Sequence, residues 1–400
     1  MPRIATVAQP APAEARIVKR MLNPATPNAL AMSKASLLSH ARTIDALQER
    51  DLSGSKTPQR AHGAGMTEFG IVMEPSPGNT AQLAGEAERL GFDILLSPDT
   101  QNLSPDPIGQ LNLAGAGTQR LRVGTGVTNP ITRDPAVLAS ALASLSAETG
   151  GRALCGIGRG DSSLAHIGKG NGTTAQLKTF IERLRAYLNG DAVERNGRAS
   201  QLRWLDSYPY HPVPIDIACT GPKTIQMAVE VGDRISFAVG SAPERLQWAM
   251  NTALEHLNKI DRPRDSIQIG AYINLVCDED EQRALSLGKL IAGMVAHFAG
   301  LKNAPTDHLP TKLRAIAESM QSQYDMARHA QEEGTHLELI DEGFVDWFSI
   351  CGPPHKCIER LEPLIDLGLE HVYQLGGSPV AHPHGARQVA MVEQAKLFAS

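Results

Sequence analysis

Aromatic residues make up only 4% of this 400-residue chain, too few for the ring platforms that stack single-stranded nucleic acid. Basic charge is not in excess either. The formal net charge is -5, so the electrostatic footprint of a nucleic-acid binder is missing. No apolar run reaches the roughly 18 residues that a membrane span needs. The five cysteines, Cys155, Cys219, Cys277, Cys351 and Cys357, include no C-x-x-C pair. An odd number of scattered thiols in a long chain points to a reducing, cytoplasmic setting rather than a disulfide framework. Metal spacings are absent as well: no H-E-x-x-H occurs, and Cys351 and Cys357 span a helix start rather than a knuckle. His166, His211, His297, His355, His371, His382 and His384 each read as surface or satisfied core residues, and no metal is expected. There is no G-x-S-x-G to mark a hydrolase nucleophile.

What is present is a chain 42% hydrophobic, able to bury a large core. Its organising stretch runs over 121–163. A short apolar strand ends in the turn Gly126-Val127-Thr128-Asn129-Pro130. Asp134 then suits an N-cap, with Pro135 at the first helical position. Val137, Leu138, Leu142 and Leu145 follow at helical spacing, and Gly150-Gly151 stops the helix. A second buried strand over 153–157 ends in Gly158-Arg159-Gly160-Asp161-Ser162-Ser163. Strand, turn, helix, strand, turn is one βαβ unit of a parallel sheet. Both polar turns leave the carboxyl ends of their strands, where parallel α/β folds place ligands.

Residues 1–65 differ from the rest, with nine Lys/Arg against four Asp/Glu and no sustained apolar face before Ser33. They suit a disordered tail with one short helix over 36–48, or an upstream start codon with Met66 as the natural beginning; a transit peptide is the other reading. From Met66 onward, strands are expected over 69–73, 93–96, 121–125, 153–157, 214–219, 234–239, 267–276 and 371–375. Helices are expected over 80–91 with Thr80 as the cap, 107–117, 135–148, 174–188, 222–231, 243–259, 353–367 and 385–398. Eight βα units predict an α/β (β/α)₈ TIM barrel over 66–400, an open sheet being the alternative. Residues 278–345 exceed one crossover and read as a helical insertion after strand seven, covering the active mouth.

Gly156-Ile157-Gly158-Arg159-Gly160 departs from G-x-G-x-x-G by one position. It suits a phosphate cradle and a tight positive-φ turn equally. Glu74 and Asp99 each stand just past a strand end. Solvated loop carboxylates are the plain alternative, but strand ends of a barrel converge on one mouth.

The strings Gly124-Thr125-Gly126-Val127-Thr128-Asn129-Pro130, Asp134-Pro135-Ala136-Val137 and Gly151-Arg152-Ala153-Leu154-Cys155-Gly156-Ile157-Gly158-Arg159-Gly160-Asp161 together resemble the bacterial-luciferase-like superfamily. The nearest branch is the methylenetetrahydromethanopterin reductase type. Ala218-Cys219-Thr220-Gly221-Pro222-Lys223, Phe348-Ser349-Ile350-Cys351-Gly352-Pro353-Pro354 and Gly376-Gly377-Ser378-Pro379 continue the likeness, which runs from about Phe69 to the C-terminus. The resemblance implies a (β/α)₈ barrel that uses a dissociable flavin or deazaflavin. It also implies a cis peptide between Gly126 and Val127, backing the isoalloxazine ring. Cofactor contacts are then implied at Gly126, Val127, Thr128 and Asn129. The tail would meet Gly158, Arg159, Gly160, Asp161 and Ser162, and also Thr220, Gly221, Pro222 and Lys223.

In deazaflavin-using relatives the second strand often ends in Asp-His; here the pair is Asp99-Thr100. Threonine donates a hydrogen bond but shuttles no proton near neutral pH. The first reading is therefore a monooxygenase using reduced FMN delivered by a flavin reductase partner, with Glu74, Asp99 and Thr100 handling the polarity and protons of a small organic substrate. Hydride transfer with the deazaflavin coenzyme F420 is the alternative, and a flavin-binding barrel without catalysis is the third. A homo-oligomer is expected, with no nucleic-acid or membrane partner.

Overall fold

The computed structural model describes residues 67–299, 311–329 and 334–375. The extension 1–65, the motif 376–379 and the helix expected over 385–398 lie outside the described residues. Eight parallel strands close into a (β/α)₈ TIM barrel rather than an open sheet. They are β1 (Glu68–Val72), β2 (Ile94–Ser97), β3 (Arg122–Thr128), β4 (Ala153–Ile157), β5 (Ile215–Cys219), β6 (Arg234–Phe237), β7 (Gln268–Ile273) and β8 (His371–Gln374). Each pairs with the next in chain order. Closure comes where β8 pairs with β1, Glu68 opposite His371.

The outer layer holds α1 (Thr80–Arg89), α2 (Pro107–Ala116), α3 (Pro135–Thr149), α4 (Thr174–Leu188), α5 (Pro222–Val231) and α6 (Pro243–Lys259). Helix α3 starts where Asp134 accepts a hydrogen bond from the Ala136 amide, and it ends at Gly150, whose φ of 61° is left-handed. Its buried stripe is Leu138, Ala139, Leu142, Ala143 and Leu145; each leucine there contributes roughly 1.5–3 kcal/mol by leaving water. Val137, expected on that stripe, is 62% exposed, because at 100° per residue it lies outside the arc of its neighbours. At α1 the cap is Asn79, and Thr80 is the first helical residue. The Thr80 hydroxyl turns back to the Ser76 carbonyl at 2.9 Å and to Gln110.

Two features depart from the expected strands. The run 267–276 breaks at Asn274. Beyond it Leu275–Cys277 leaves the barrel and pairs with Ile350–Gly352, and the Asn274 side chain donates to the Phe348 carbonyl at 3.1 Å. An antiparallel hairpin, Val193–Arg195 with Arg198–Ser200, also stands outside the barrel. Between Cys277 and Ile350 the chain forms α7 (Glu281–Ala296), α8 (Thr311–Gln323) and α9 (Glu342–Phe348). Ile291, Val295, Phe344 and Phe348 give these helices an apolar cluster of their own. Helix α10 (Pro354–Ile365) then returns to the outer layer.

Strand alternation sorts the core. On β8, Val372 faces the helices while Tyr373 faces the barrel axis. The tyrosine ring fits because its neighbour is Gly70: a Cβ there would lie 2.6 Å from Tyr373 Cδ1. Towards the amino ends of the strands the barrel is plugged by polar groups. Arg234 Nη1 donates to Glu68 at 2.7 Å, Tyr373 Oη donates to Asp216 Oδ2 at 2.6 Å, and Ser236 bridges Asp216 and His371 Nε2, each at 2.8 Å. Asp216 and His371 are almost completely buried. Burial drives the Asp216 carboxyl up against the pull of Arg234 and drives the His371 imidazole well down, both toward the neutral form. Serine, histidine and aspartate meet here, but at the closed end of the barrel and with the aspartate on the serine.

Candidate active site

The opposite, carboxyl ends of the strands form a mouth floored by apolar side chains. Val72, Val127, Ala218 and Leu375 pack on the interior cluster of Ile94, Leu96, Leu154, Ala238 and Tyr272. Phe298, just past α7, joins them. The Gly126-Val127 peptide is cis. The β3–β4 register shifts between Thr125 and Thr128 at the same place, making a bulge. Gly126 has little room for a side chain, since a Cβ there would lie 2.6 Å from Leu96 Cβ.

One side of the rim is built on Asp99, 1% exposed. Its carboxylate accepts Arg133 Nε at 2.6 Å, Arg133 Nη2 at 2.9 Å, the Thr128 hydroxyl at 2.6 Å and Gln101 Nε2 at 2.5 Å. Arg133 also reaches Asp106 at 2.7 Å. Its hydrogen bonds to Asp99 come first in holding this guanidinium charged against its burial. Thr100 is half-buried and shares a hydrogen bond with Ser104 at 2.8 Å. Glu74 is half-buried past the end of β1, where the Ser97 hydroxyl donates to the Met73 carbonyl at 3.1 Å. Asn129 folds its carboxamide back onto the Ile131 and Thr132 amides, both at 3.0 Å.

The loop after β4 forms the next side. Gly158 nestles against Val127 and Ala218, and Gly160 has a φ of 80°, a conformation that glycine adopts freely. Arg159 is spent locally, its Nε donating to the Gly172 carbonyl at 2.6 Å. Asp161 turns to the end of α7 and meets His297 Nε2 at 2.5 Å. Ser162 opens a single helical turn, Ser162–Ala165. Past β5, Gly221 is the N-cap of α5, with Pro222 at N1 and Lys223 exposed beside it. Helix geometry leaves first-turn N–H groups there without helical partners.

Among the expected site residues, Asp99 and Thr128 are in direct contact, while Asp161 is tied to a residue that the motifs did not mark. Sequence reasoning also missed Arg133, the partner of Asp99. It stands four residues after Asn129 on the mouth turn, so its position was a signal, but its target lies 34 residues upstream. Among the described residues no group of three or more His, Cys, Asp or Glu could hold a metal, and no helix is long and apolar enough to cross a membrane.

A flat heteroaromatic ring with an anionic tail suits this donor set. The apolar floor and the bulge offer a face for the ring. The glycine loop, the start of α5 and Lys223 offer N–H groups and positive charge for the tail.

Comparison with known proteins agrees with this geometry. The luciferase-like monooxygenase family matches residues 53–371. The chain is 26% identical over 330 residues to a 5,10-methylenetetrahydromethanopterin reductase of Methanolobus tindarius, covering 81% of this chain and 98% of that protein. It is 27% identical over 281 residues to an F420-dependent glucose-6-phosphate dehydrogenase of Nocardia farcinica, covering 67% and 77%. Among solved structures, the coenzyme F420-dependent tetrahydromethanopterin reductase from Methanopyrus kandleri superimposes with a TM-score of 0.63 at 23% identity, covering 82% of this chain and 98% of that one.

Proposed function

The chain belongs to the luciferase-like monooxygenase family, and on that premise we propose that it is an oxidoreductase transferring a hydride between the deazaflavin coenzyme F420 and a small organic substrate. One observation carries this reading over the reduced-FMN monooxygenase that Asp99-Thr100 suggested. The relatives matched across most of their length are named as a methylenetetrahydromethanopterin reductase and an F420-dependent dehydrogenase. The coenzyme, when bound, supplies the hydride-exchanging ring.

The protein's own residues do the rest. Val72, Val127, Ala218 and Leu375 exclude water from one face of the ring. The 158–162 loop, Thr220, Gly221, Pro222 and Lys223 receive the anionic tail. Glu74, half-buried just past the end of β1, is the proton-handling group. Asp99 acts as a positioning residue that fixes the bulge through Thr128. Thr100 orients a polar atom of the substrate. A reducing compartment suits five cysteines that are all unpaired and buried.

Thr100 keeps one other reading alive, because oxygen chemistry on a reduced flavin needs a shielded pocket and no histidine beside the ring. In that case a flavin reductase is the partner. Titration of the purified protein with F420 and with FMN, followed by anaerobic turnover assays, separates the two. Tight F420 binding with reversible loss of the coenzyme's visible absorbance supports hydride transfer. Activity only with reduced FMN in air overturns it.

A further inference from the structure

Asp161 and His297 come from segments 136 residues apart, and they meet at the edge of the mouth. His297 follows α7 directly, and its ring faces an acceptor at each nitrogen. Nδ1 lies 2.9 Å from the Met294 carbonyl oxygen, and Nε2 lies 2.5 Å from Asp161 Oδ2. A carbonyl cannot donate. Burial works to raise the Asp161 carboxyl, but the hydrogen bond and charge of His297 hold it below the usual range.

The surroundings hold the ring in place. The ring stacks on Tyr324 with centroids 4.0 Å apart and planes 10° from parallel, which fixes its orientation. Tyr324 Oη lies 2.7 Å from His329 Nδ1. Burial first, and then the neighbouring His297 charge, push the His329 imidazole down to about 4, so this second ring is neutral and its Nδ1 accepts from the tyrosine. The next residue, Phe298, packs edge-on to the His297 ring at 5.2 Å and reaches the apolar floor of the mouth. Asn171 donates to the other oxygen of Asp161 at 3.2 Å.

We propose that His297 is a positioning residue: paired with Asp161, it latches the end of α7 onto the 158–163 loop, holding that loop ready for the cofactor tail and Phe298 over the mouth. Asp161 then serves the cofactor through the latch rather than as its ligand. This rests on the cofactor reading of the loop. The latch itself is a contact between two protein segments and is testable without any cofactor.

The test uses the full chain with Asp161→Asn, His297→Gln and the double variant. Hydrogen–deuterium exchange of peptides covering 158–165, without cofactor, is expected to quicken by about tenfold in each single variant, the loss of one interaction of about 1.4 kcal/mol. Peptides from β1 and β5 should keep their wild-type exchange. The Kd for F420 is expected to rise by about tenfold in each single variant and no further in the double. The KM for F420 should rise in each single variant while kcat stays near the wild-type value. A fold-maintenance role alone would not require that signature.

Unchanged exchange in 158–165 overturns the latch whatever the coenzyme does, and so does an additive double variant or a fall in kcat with KM unchanged. Absence of F420 binding by the wild type overturns the cofactor reading instead, and the exchange data then decide the latch alone.

Discussion

The guanidinium of Arg133 straddles the carboxylate of Asp99, Nε on Oδ2 at 2.6 Å and Nη2 on Oδ1 at 2.9 Å. The Asp99 side chain is fully buried and that of Arg133 is partly buried. Removing one partner of such a pair strands a charge in the interior, at a cost of about 3–5 kcal/mol. Arg133→Ala should therefore lower unfolding stability by that amount in urea titrations. Arg133→Lys keeps the charge but loses the two-pronged fit and should fall between Arg133→Ala and the wild type.

Gly126 is a second point of close approach. Its missing Cβ would stand 2.6 Å from Leu96 Cβ on the neighbouring strand. Gly126→Ala should cost about 1–3 kcal/mol of stability through overpacking. Because Val127 and the bulge form part of the floor, cofactor affinity should fall as well. Parallel urea and F420 titrations check both effects, and an unchanged Kd in a destabilised variant would remove Gly126 from the site.

Glu74→Gln tests the proton-handling assignment. A general acid or base is worth roughly 100-fold to 10,000-fold in rate, so kcat should drop into that range while the Kd for F420 stays near the wild-type value. A matching drop in Asp99→Asn, without loss of folding stability, would shift the assignment to Asp99.

Acid stability should bear the mark of His329. Unfolded, an imidazole protonates below about pH 6.5. Folded, burial foremost and the His297 charge after it keep the ring neutral down to about 4. The native state thus binds fewer protons than the unfolded state in that window. The contribution of this group is complete above pH 6.5 and fades as pH falls toward 4, by on the order of 3 kcal/mol. His371 at the closed end, also depressed by burial, adds a loss of the same sign. His329→Gln, which can still accept from Tyr324, should flatten the fall in urea midpoint between pH 6.5 and 4 by about one proton's worth.

Local signals carried most of the scaffold. Alternating apolar strands, Pro at first helical positions and Gly at helix ends marked all eight barrel strands, because such patterns depend only on near neighbours. The hairpin at 193–200 was legible by the same logic and went unread. Asn196-Gly197 is a two-residue turn signature, and both residues have positive φ, 53° and 79°. Asn274 was not legible: it looks like any strand residue until the Phe348 carbonyl arrives from 74 residues away to take its amide.

Amino-acid order by itself determined the βα repeat and the placing of glycine-rich turns at the carboxyl ends of the strands, since helix and strand periods and turn chemistry are properties of short segments. Only the tertiary structure decided which side chains meet at the mouth. Arg133 finds Asp99, and His297 finds Asp161, through barrel closure and the return of α7 across the β4 loop. Those encounters turn two apparent free carboxylates into bound ones. A carboxylate's chemistry depends on the charges and donors within a few ångströms of it, and sequence position carries no record of neighbours that folding brings from 34 or 136 residues away.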